Sequence, residues 1–243
     1  MNLQKYLHEN GLQREDILTR IAVSLELDDT RKQRMESAYN AIYDILKKDE
    51  VFFSKVDFLV YPQGSKAIGT TVKPRGKEEF DLDITVEIRD LYYNYTSSEI
   101  YNHLIRVLTS SDVYKEKLIK KNRCARINYI GDFHMDVLPG CIVITDDSKI
   151  MVPDRELKSW SSSNPKGYAN WFNQKAETVV NSILNKAFRT FSALNEAKAE
   201  QEELPDDDVY NKEPLKRAVQ LTKRYRDIYF EKNPKYKTSS IVL

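Results

Sequence analysis

Asp81-Leu82-Asp83 and the later run Met135-Asp136-Val137 are the most informative stretches of the sequence. Successive side chains of a β-strand point to opposite faces, so Asp81 and Asp83 share one face if they lie on a strand. Phosphoryl and nucleotidyl transfer use two divalent cations about 3.5 to 4 Å apart, which need a third carboxylate from a neighbouring strand. Asp136 is the natural candidate, and the pattern therefore predicts a two-metal transferase site.

Alternating polarity surrounds these aspartates. Residues 81–88 alternate Asp, Asp, Thr and Glu with Leu, Ile, Val and Ile, which predicts a strand with one polar and one core face. Residues 56–61 form a second predicted strand, which leads into a turn at Gly64-Ser65. Residues 126–130 and 133–138 flank the turn signal Gly131-Asp132, so a hairpin is predicted to carry Asp136. Further short strands are predicted at residues 141–145 and 149–152.

Helices are predicted on either side of this strand-rich region. Residues 30–48 have apolar side chains at helical spacing, and so do residues 166–189 after the pattern changes at Trp160. Pro214 opens another predicted helix that runs to about residue 229. The acidic stretch at residues 196–208 is predicted to be a solvated loop.

This order of elements predicts an α+β fold with two lobes. Residues 1–158 would form a nucleotidyltransferase lobe with N-terminal helices, and residues 159–243 a helical lobe, with the active site in the cleft between them. The chain stops at Ile241-Val242-Leu243, where an apolar segment begins. We therefore expect the helical lobe to be incomplete at its C-terminus.

Composition excludes several classes of protein. The chain has 38 basic and 37 acidic residues and a formal net charge of +1, so we expect neither strong nucleic-acid binding nor membrane binding. Cys124 and Cys141 stand without a metal-ligand spacing, which is typical of reduced, buried thiols. No signal-peptide core or long apolar run is present in the sequence. We expect a soluble, cytoplasmic protein.

The segment from Gly64 to Thr71 is the candidate phosphate loop. It differs from the P-loop pattern because Thr70 stands where that pattern needs lysine. A Gly-Ser turn can still hold a triphosphate, since glycine lets backbone amides approach the oxygens and serine adds a donor. Taken singly, a Gly-Ser pair is most often an ordinary turn and an Asp-x-Asp pair is often solvated. Their order along the chain is the one that a polymerase-beta-like transferase requires.

Longer motifs around these residues resemble one known family, the cGAS/DncV-like nucleotidyltransferases, bacterial relatives of cyclic GMP-AMP synthase. The resemblance implies a polymerase-beta-like sheet lobe with a helical C-terminal lobe. It covers most of the chain and is carried by five stretches: residues 61–75, Glu79-Phe-Asp-Leu-Asp83, Met135-Asp-Val-Leu-Pro139, Ser163-Asn-Pro-Lys-Gly-Tyr168 with Trp171-Phe172, and residues 214–227.

The resemblance also implies roles for particular residues. Asp81, Asp83 and Asp136 would bind two Mg²⁺ or Mn²⁺ ions, and Asp136 would help to deprotonate the attacking hydroxyl. Nucleotide-binding roles would fall to the phosphate turn, a helix lysine and a later serine: Gly64, Ser65, Lys223 and Ser240. A solvated helix face competes with the phosphate-binding role, more strongly for Lys216 than for Lys223, although both lie on one predicted stripe with Gln220. Ile241 stands where animal relatives have a base-stacking tyrosine, so the resemblance does not extend to that contact.

The function implied is synthesis of a cyclic di- or trinucleotide second messenger from nucleoside triphosphates, ATP among them. In the family, the messenger activates an effector protein in CBASS-type antiphage defence, and a regulatory partner protein is a further expected partner. Two alternatives stay open at this point. One is a template-independent nucleotidyltransferase that acts on RNA or on protein, as AMP-transferring toxins do. The other is a catalytically inactive, nucleotide-binding relative.

Overall fold

The computed structural model describes residues 17–76, 78–177, 199–205 and 212–231. Within these ranges the chain has an α+β fold built on one eight-stranded mixed sheet. The strands are β1 (Phe58–Gln63), β2 (Phe80–Leu91), β3 (Leu118–Lys120), β4 (Ala125–Tyr129), β5 (Phe133–Ile142), β6 (Ile150–Asp154), β7 (Ser159–Ser163) and β8 (Ala199–Gln201). The helices are α1 (residues 17–24), α2 (Asp29–Lys47), α3 (Gly64–Ala67), α4 (Ser97–Ser110), α5 (Pro165–Ala176) and α6 (Pro214–Tyr229).

The sheet has the strand order β3-β4-β5-β2-β1-β8, and β6 and β7 extend from β5. The two long central strands, β2 and β5, run parallel, whereas β1 pairs with β2 and β4 pairs with β5 in antiparallel fashion. The short strand β8 adds to β1 in parallel. The parallel central pair fixes the relative positions of the three aspartates.

The core lies on one face of this sheet. Leu82, Ile84, Val86 and Ile88 alternate along β2 and are fully buried, and they belong to a cluster that includes residues of α2 and α4. Burial of each such side chain stabilises the fold by roughly 1.5 to 3 kcal/mol. The polar residues between them therefore face the opposite side of the sheet.

Local capping sets where the two core-facing helices begin. Asp28 precedes α2 and its carboxylate accepts a hydrogen bond from the Arg31 amide. Thr96 and Glu99 form a capping box at the start of α4, each side chain bonding the other's backbone amide. These side chains satisfy amides that would otherwise lack partners at a helix start.

A smaller cluster lies beside the candidate phosphate loop. Ile68, Phe172 and Ala176 are buried together, with Val219 of α6 packed against them. This cluster joins α5 and α6 to the segment that follows α3. Both helices are thereby positioned near the turn at Gly64.

Several sequence predictions need correction. The separate strand expected at residues 141–145 is wrong, because β5 continues without a break to Ile142. The change from strands to helices comes after Ser163 rather than at Trp160, because β7 spans Ser159–Ser163 and α5 begins at Pro165. The predicted helix at residues 166–189 is observed as Pro165–Ala176, and residues 178–189 lie outside the described ranges.

The acidic stretch at residues 196–208 is not simply a loop. Ala199–Gln201 forms β8 on the edge of the sheet, and the Glu202 amide donates to the Val60 carbonyl at 2.9 Å. The Glu200 carboxylate pairs with Arg89 at 2.6 Å. Backbone pairing with β1 thus overrides the polar composition, which carries no strand signal; residues 206–208 are outside the described ranges.

Both cysteines are free thiols, as predicted, although only Cys141 is fully buried. Burial raises the pKa of the Cys141 thiol to about 12. Among the described residues, none of the helices combines the length and the apolar character needed to cross a bilayer.

Asp49, just after the end of α2, connects that helix to α4. We therefore expect its side chain to contribute to the stability of the fold. Its carboxylate accepts from the Phe52 and Phe53 amides and from both Arg106 terminal nitrogens at 2.7 to 3.1 Å. These bonds, first of all the Arg106 contact, hold the Asp49 pKa well below its usual range. We expect Asp49→Ala to cost about 2 to 4 kcal/mol in urea unfolding at pH 7.

This cost should shrink below about pH 4. A carboxyl group whose pKa is lowered by folding contributes stability above its unfolded-state pKa and loses it as the pH falls towards the folded-state value. Asp112, whose side chain is 94% exposed and pairs with Lys115, is the matched control. Asp112→Ala should change stability by less than about 0.5 kcal/mol. Equal losses in the two variants would contradict this account of Asp49.

Candidate active site

Three carboxylates converge on the polar face of the sheet. Asp83 pairs with Asp136 in the parallel register of β2 and β5, and Asp81 pairs with His134. Neighbouring strands lie about 4.8 Å apart, and paired residues project to the same side. The structure therefore places Asp81, Asp83 and Asp136 together on one face. His134, by contrast, has its Nε2 atom on the Glu79 carboxylate at 2.8 Å.

Arg126 is the residue of this site that the sequence analysis missed. It pairs with Asp136 in the β4–β5 hairpin, and its Nε and Nη2 atoms donate to the two Asp136 oxygens, both at 2.7 Å. Its Nη2 also lies 3.6 Å from Asp81 Oδ1. A signal was available, since Arg126 precedes Gly131 by five residues and Asp136 follows it by five. A symmetric hairpin about Gly131 places the two side by side.

Charge and burial act together on the central carboxylate. Burial, followed by the negative charges of Asp136 and Asp81, raises the pKa of Asp83 to about 7, against the opposing effect of Arg126 and Lys223. The hydrogen bonds to Asp136 raise the pKa of Arg126 further above its already high value. The ionised form of Asp83 is thus disfavoured until more positive charge arrives, and a bound cation would supply it.

The donor set fits a hard divalent cation. Carboxylate oxygens are the ligands that Mg²⁺ and Mn²⁺ prefer, and three of them share this face. In the described parts of the chain, however, no group of three acidic, His or Cys side chains is already gathered as a formed metal site. Both Asp136 oxygens accept from Arg126 instead. Two metal ions held by all three aspartates would therefore share the Asp136 carboxylate, or compete for it, with the Arg126 guanidinium.

Gly64, one of the predicted phosphate ligands, lies directly against the Asp83 carboxylate. It begins α3 with φ +59°, and a Cβ atom there would lie 2.5 Å from Asp83 Oδ2. Only glycine fits this close approach and this left-handed backbone without strain. Ser65 follows, with its hydroxyl 3.3 Å from the Thr71 hydroxyl and its carbonyl accepting from the Thr70 amide.

Helix α6 supplies the predicted lysine to the same loop. Lys223 Nζ donates to the Thr70 carbonyl at 3.0 Å and lies 3.2 Å from its hydroxyl oxygen. Burial, with a smaller effect of Arg226, lowers the pKa of Lys223 to about 8. Lys216 instead contacts Glu213, the residue that precedes its own helix, at 3.1 Å. Ser240 lies outside the described residues.

Gln220 fixes how α6 meets the loop. Its side chain is fully buried, and its amide donates to the Thr71 carbonyl at 2.8 Å and to Glu26 at 2.9 Å. The three residues predicted to lie on one face of α6 therefore do not all contact the candidate phosphate loop. Gln220 and Lys223 contact the segment that follows Gly64, whereas the contact described for Lys216 is with Glu213.

An ion pair between Glu87 and Lys166 lies on the same polar face of β2, further along the strand than the aspartates. Glu87 shares the face of Asp83, and Lys166 at the start of α5 donates to its carboxylate at 2.8 Å. The Lys166 ammonium also lies 4.5 Å from the centre of the Tyr61 ring. Lys166 thus anchors α5 to the sheet beside the site, a role that its sequence motif alone does not reveal.

The fold is that of the polymerase-beta-like nucleotidyltransferases. The chain superimposes on Bradyrhizobium diazoefficiens CD-NTase CdnG, solved in complex with GTP, with a TM-score of 0.65 at 22% identity over 92% of this chain and 66% of that one. It is also similar to Rhodothermus marinus CdnE c-UMP-AMP synthase, solved with Apcpp and Upnpp, with a TM-score of 0.55, 16% identity and coverage of 92% and 70%. These likenesses confirm the α+β fold predicted from the sequence.

Residues 13–176 match the family described as the Second Messenger Oligonucleotide or Dinucleotide Synthetase domain, and the chain belongs to this family. A c-di-GMP synthase of Roseivirga ehrenbergii is 44% identical to it over 232 residues, which cover 95% of this chain and 59% of that protein. The cyclic dinucleotide synthase CdnG of Bradyrhizobium diazoefficiens is 24% identical, with coverage of 88% and 53%. The chain spans between half and six-tenths of these relatives. The predicted family is thereby confirmed.

The close approach of Gly64 to Asp83 predicts that alanine at position 64 destabilises the fold more than alanine at another glycine with the same backbone conformation. Gly76 has nearly the same backbone angle, φ +55°, but a Cβ atom there would meet nothing within 4 Å. We expect Gly76→Ala to cost about 1 to 2 kcal/mol through backbone strain alone. Gly64→Ala should cost a further 1 to 3 kcal/mol or so in urea unfolding, because its methyl group displaces the Asp83 carboxylate.

Asp83→Ala provides the control by removing the atoms that clash. In that background Gly64→Ala should cost no more than Gly76→Ala does in the wild type, and the double-mutant cycle measures the difference. An equal cost of Gly64→Ala in both backgrounds would mean that the two residues do not touch.

Proposed function

We propose that this chain carries the catalytic site of a cyclic oligonucleotide synthase, which joins nucleoside triphosphates into a cyclic di- or trinucleotide and releases diphosphate. The observation that carries the proposal is the parallel register of Asp83 and Asp136, which puts three carboxylates on one face directly beside Gly64. Membership of a family of second-messenger synthetases supports it, and so does the 44% identity to a c-di-GMP synthase.

The donor nucleotide would lie with its triphosphate along the segment that begins at Gly64. Backbone amides near Gly64, the Ser65 hydroxyl and the Lys223 ammonium are the donors that would bind the phosphate oxygens. Ser240, predicted from the family resemblance, is proposed to join them. Lys223 already bonds Thr70, which holds its ammonium group at the segment where the triphosphate would lie.

Asp81, Asp83 and Asp136 would hold two Mg²⁺ or Mn²⁺ ions, which when bound polarise the α-phosphate and stabilise the diphosphate leaving group. A ribose 2′ or 3′ hydroxyl of a second nucleotide attacks the α-phosphorus. The new bond is the phosphodiester P–O bond, and the α–β bridging bond breaks. Asp136 helps to take up the hydroxyl proton, for which it must be free of Arg126.

A second round of the same chemistry would close the ring after the linear intermediate has turned over in the site. We propose that the site lies in a cleft between the lobe of residues 1–158 and helices α5 and α6, since α6 carries Lys223 to the loop. The predicted lobe of residues 159–243 is not purely helical, because β7 and β8 belong to the sheet. The product is proposed to activate an effector protein in CBASS-type defence in the cytoplasm, with a regulatory partner protein controlling synthesis.

The product assay tests this proposal directly. The chain, with any residues that natively continue it restored, is incubated with Mg²⁺ or Mn²⁺ and all four ribonucleoside triphosphates, then with phosphatase, and analysed by mass spectrometry. We expect a phosphatase-resistant cyclic oligonucleotide. Label transferred to added RNA or protein would establish the alternative acceptor, and diphosphate release with only linear products would also contradict ring closure.

Asp83→Asn gives the matched test of the carboxylates. It removes one charge without changing side-chain size, and we expect diphosphate release to fall at least about 100-fold, the scale on which loss of one transition-state contact lowers kcat. Asp147→Asn, at an exposed position, is the control and should keep wild-type activity. Wild-type turnover by Asp83→Asn would contradict the assignment of the active site.

The lowered pKa of Lys223 leads to a prediction on pH. Its ammonium is charged below about pH 8 and neutral above it. Affinity for a non-hydrolysable triphosphate should therefore weaken as the pH rises through 8 to 9.5. Lys223→Gln should bind more weakly at pH 7 and lose this dependence. Parallel pH profiles of Kd in the two proteins would remove Lys223 from the triphosphate site.

A further inference from the structure

Arg126 contacts two of the three carboxylates of the candidate site, whereas an ion pair that only stabilises the fold needs one partner. Its guanidinium donates two hydrogen bonds to the carboxylate of Asp136 and lies 3.6 Å from that of Asp81. Asp136 is 15% and Arg126 25% exposed, so water screens this pair only in part. A planar cation that is charged at every accessible pH thus sits between two of the three carboxylates.

We propose that Arg126 is a positioning residue that replaces a divalent cation in the nucleotide-free protein, and that Asp136 exchanges the Arg126 guanidinium for the ion when metal binds. This inference rests on the proposed function only in taking Asp81, Asp83 and Asp136 as metal ligands. It assigns to Arg126 both the neutralisation of these carboxylates and the control of when Asp136 becomes available.

The pairing of strands restricts how this exchange can occur. Arg126 and Asp136 are direct partners in the β4–β5 hairpin, and Asp136 is at the same time the partner of Asp83 across β2. Neither residue can move away along its strand without breaking backbone hydrogen bonds of the central sheet. The exchange is therefore a rotation of side chains over a fixed backbone.

Other cations do not take over this task. Lys223 acts on Asp83, but its ammonium is bonded to the carbonyl of Thr70. Of the basic side chains in the described ranges, Arg126 is the one shown bonded to the carboxylate of Asp136. Loss of its charge should therefore have two opposite effects, which a purely structural ion pair would not show. The metal-free protein should become less stable, and the affinity for a cation should increase.

The test measures Mn²⁺ binding and thermal unfolding of the full chain without nucleotide. Arg126→Gln removes the charge, and Arg126→Lys keeps the charge but loses the two-point contact. Arg123→Gln is the matched control, because Arg123 forms a similar ion pair with the buried carboxylate of Asp154, which is not one of the three aspartates. Free Mn²⁺ is followed by electron paramagnetic resonance, and unfolding is compared in EDTA and in saturating Mn²⁺.

We expect Arg126→Gln to lower the Kd for Mn²⁺ by about tenfold or more, because a positive charge next to the ion has been removed. Arg126→Lys should fall between Arg126→Gln and the wild type, and Arg123→Gln should stay within about twofold of it. The loss of Tm in Arg126→Gln should be large in EDTA and mostly recovered in Mn²⁺. For Arg123→Gln the loss should be the same in both solutions.

An unchanged or weaker Mn²⁺ affinity in Arg126→Gln, or an equal loss of Tm with and without Mn²⁺, would overturn the inference. If Arg126→Gln does not fold in either solution, the Mn²⁺ affinity of Arg126→Lys decides in the same way. Asp83→Asn in the same assay distinguishes failure of the metal-ligand assignment from failure of the inference about Arg126. If it retains wild-type Mn²⁺ affinity, both the metal assignment and this inference fail; if it loses Mn²⁺ while Arg126→Gln gains nothing, only the inference fails.

Discussion

Mutual repulsion of three carboxylates on one sheet face is the constraint on which the rest of the site depends. The parallel pairing of β2 and β5 sets Asp83 beside Asp136, and alternation along β2 adds Asp81. Burial and these like charges raise the pKa of Asp83 to about 7. Three carboxylates that disfavour one another's ionised form do not stabilise the fold by themselves. Such an arrangement is useful where a multivalent cation is to be bound, because the same repulsion then favours binding.

The neighbouring elements keep this charged face ordered. Leu82, Ile84 and Val86 hold β2 in the core from the opposite side of the sheet, so the aspartates stand on a rigid strand. Gly64 gives the backbone of the phosphate turn direct access to Asp83. Gln220 and Lys223 then fasten α6 to the same turn. The groups proposed to bind phosphates and cations are in this way brought together from elements that are far apart in the chain.

Much of this could be predicted from local patterns. The strand that carries Asp81 and Asp83, the hairpin that carries Asp136 and helix α2 all follow from periodicity and turn residues, and longer motifs identified the family. The contact of Arg126 with Asp136 needed the register of the hairpin, which the turn at Gly131 indicates only if it is read as symmetric. Strand β8 could not be foreseen, because Ala-Glu-Gln carries no strand pattern and joins β1 through backbone pairing. The approach of Gly64 to Asp83 depends on the three-dimensional packing of α3 on β2.

The most direct measurement is a crystal structure of the protein with Mn²⁺ and a non-hydrolysable nucleoside triphosphate. The account predicts anomalous density for Mn²⁺ against Asp81, Asp83 and Asp136, the triphosphate along the segment that begins at Gly64 with Lys223 in contact, and Arg126 turned away from Asp136. Density for Mn²⁺ elsewhere, or a triphosphate bound away from Gly64 and Lys223, would contradict it.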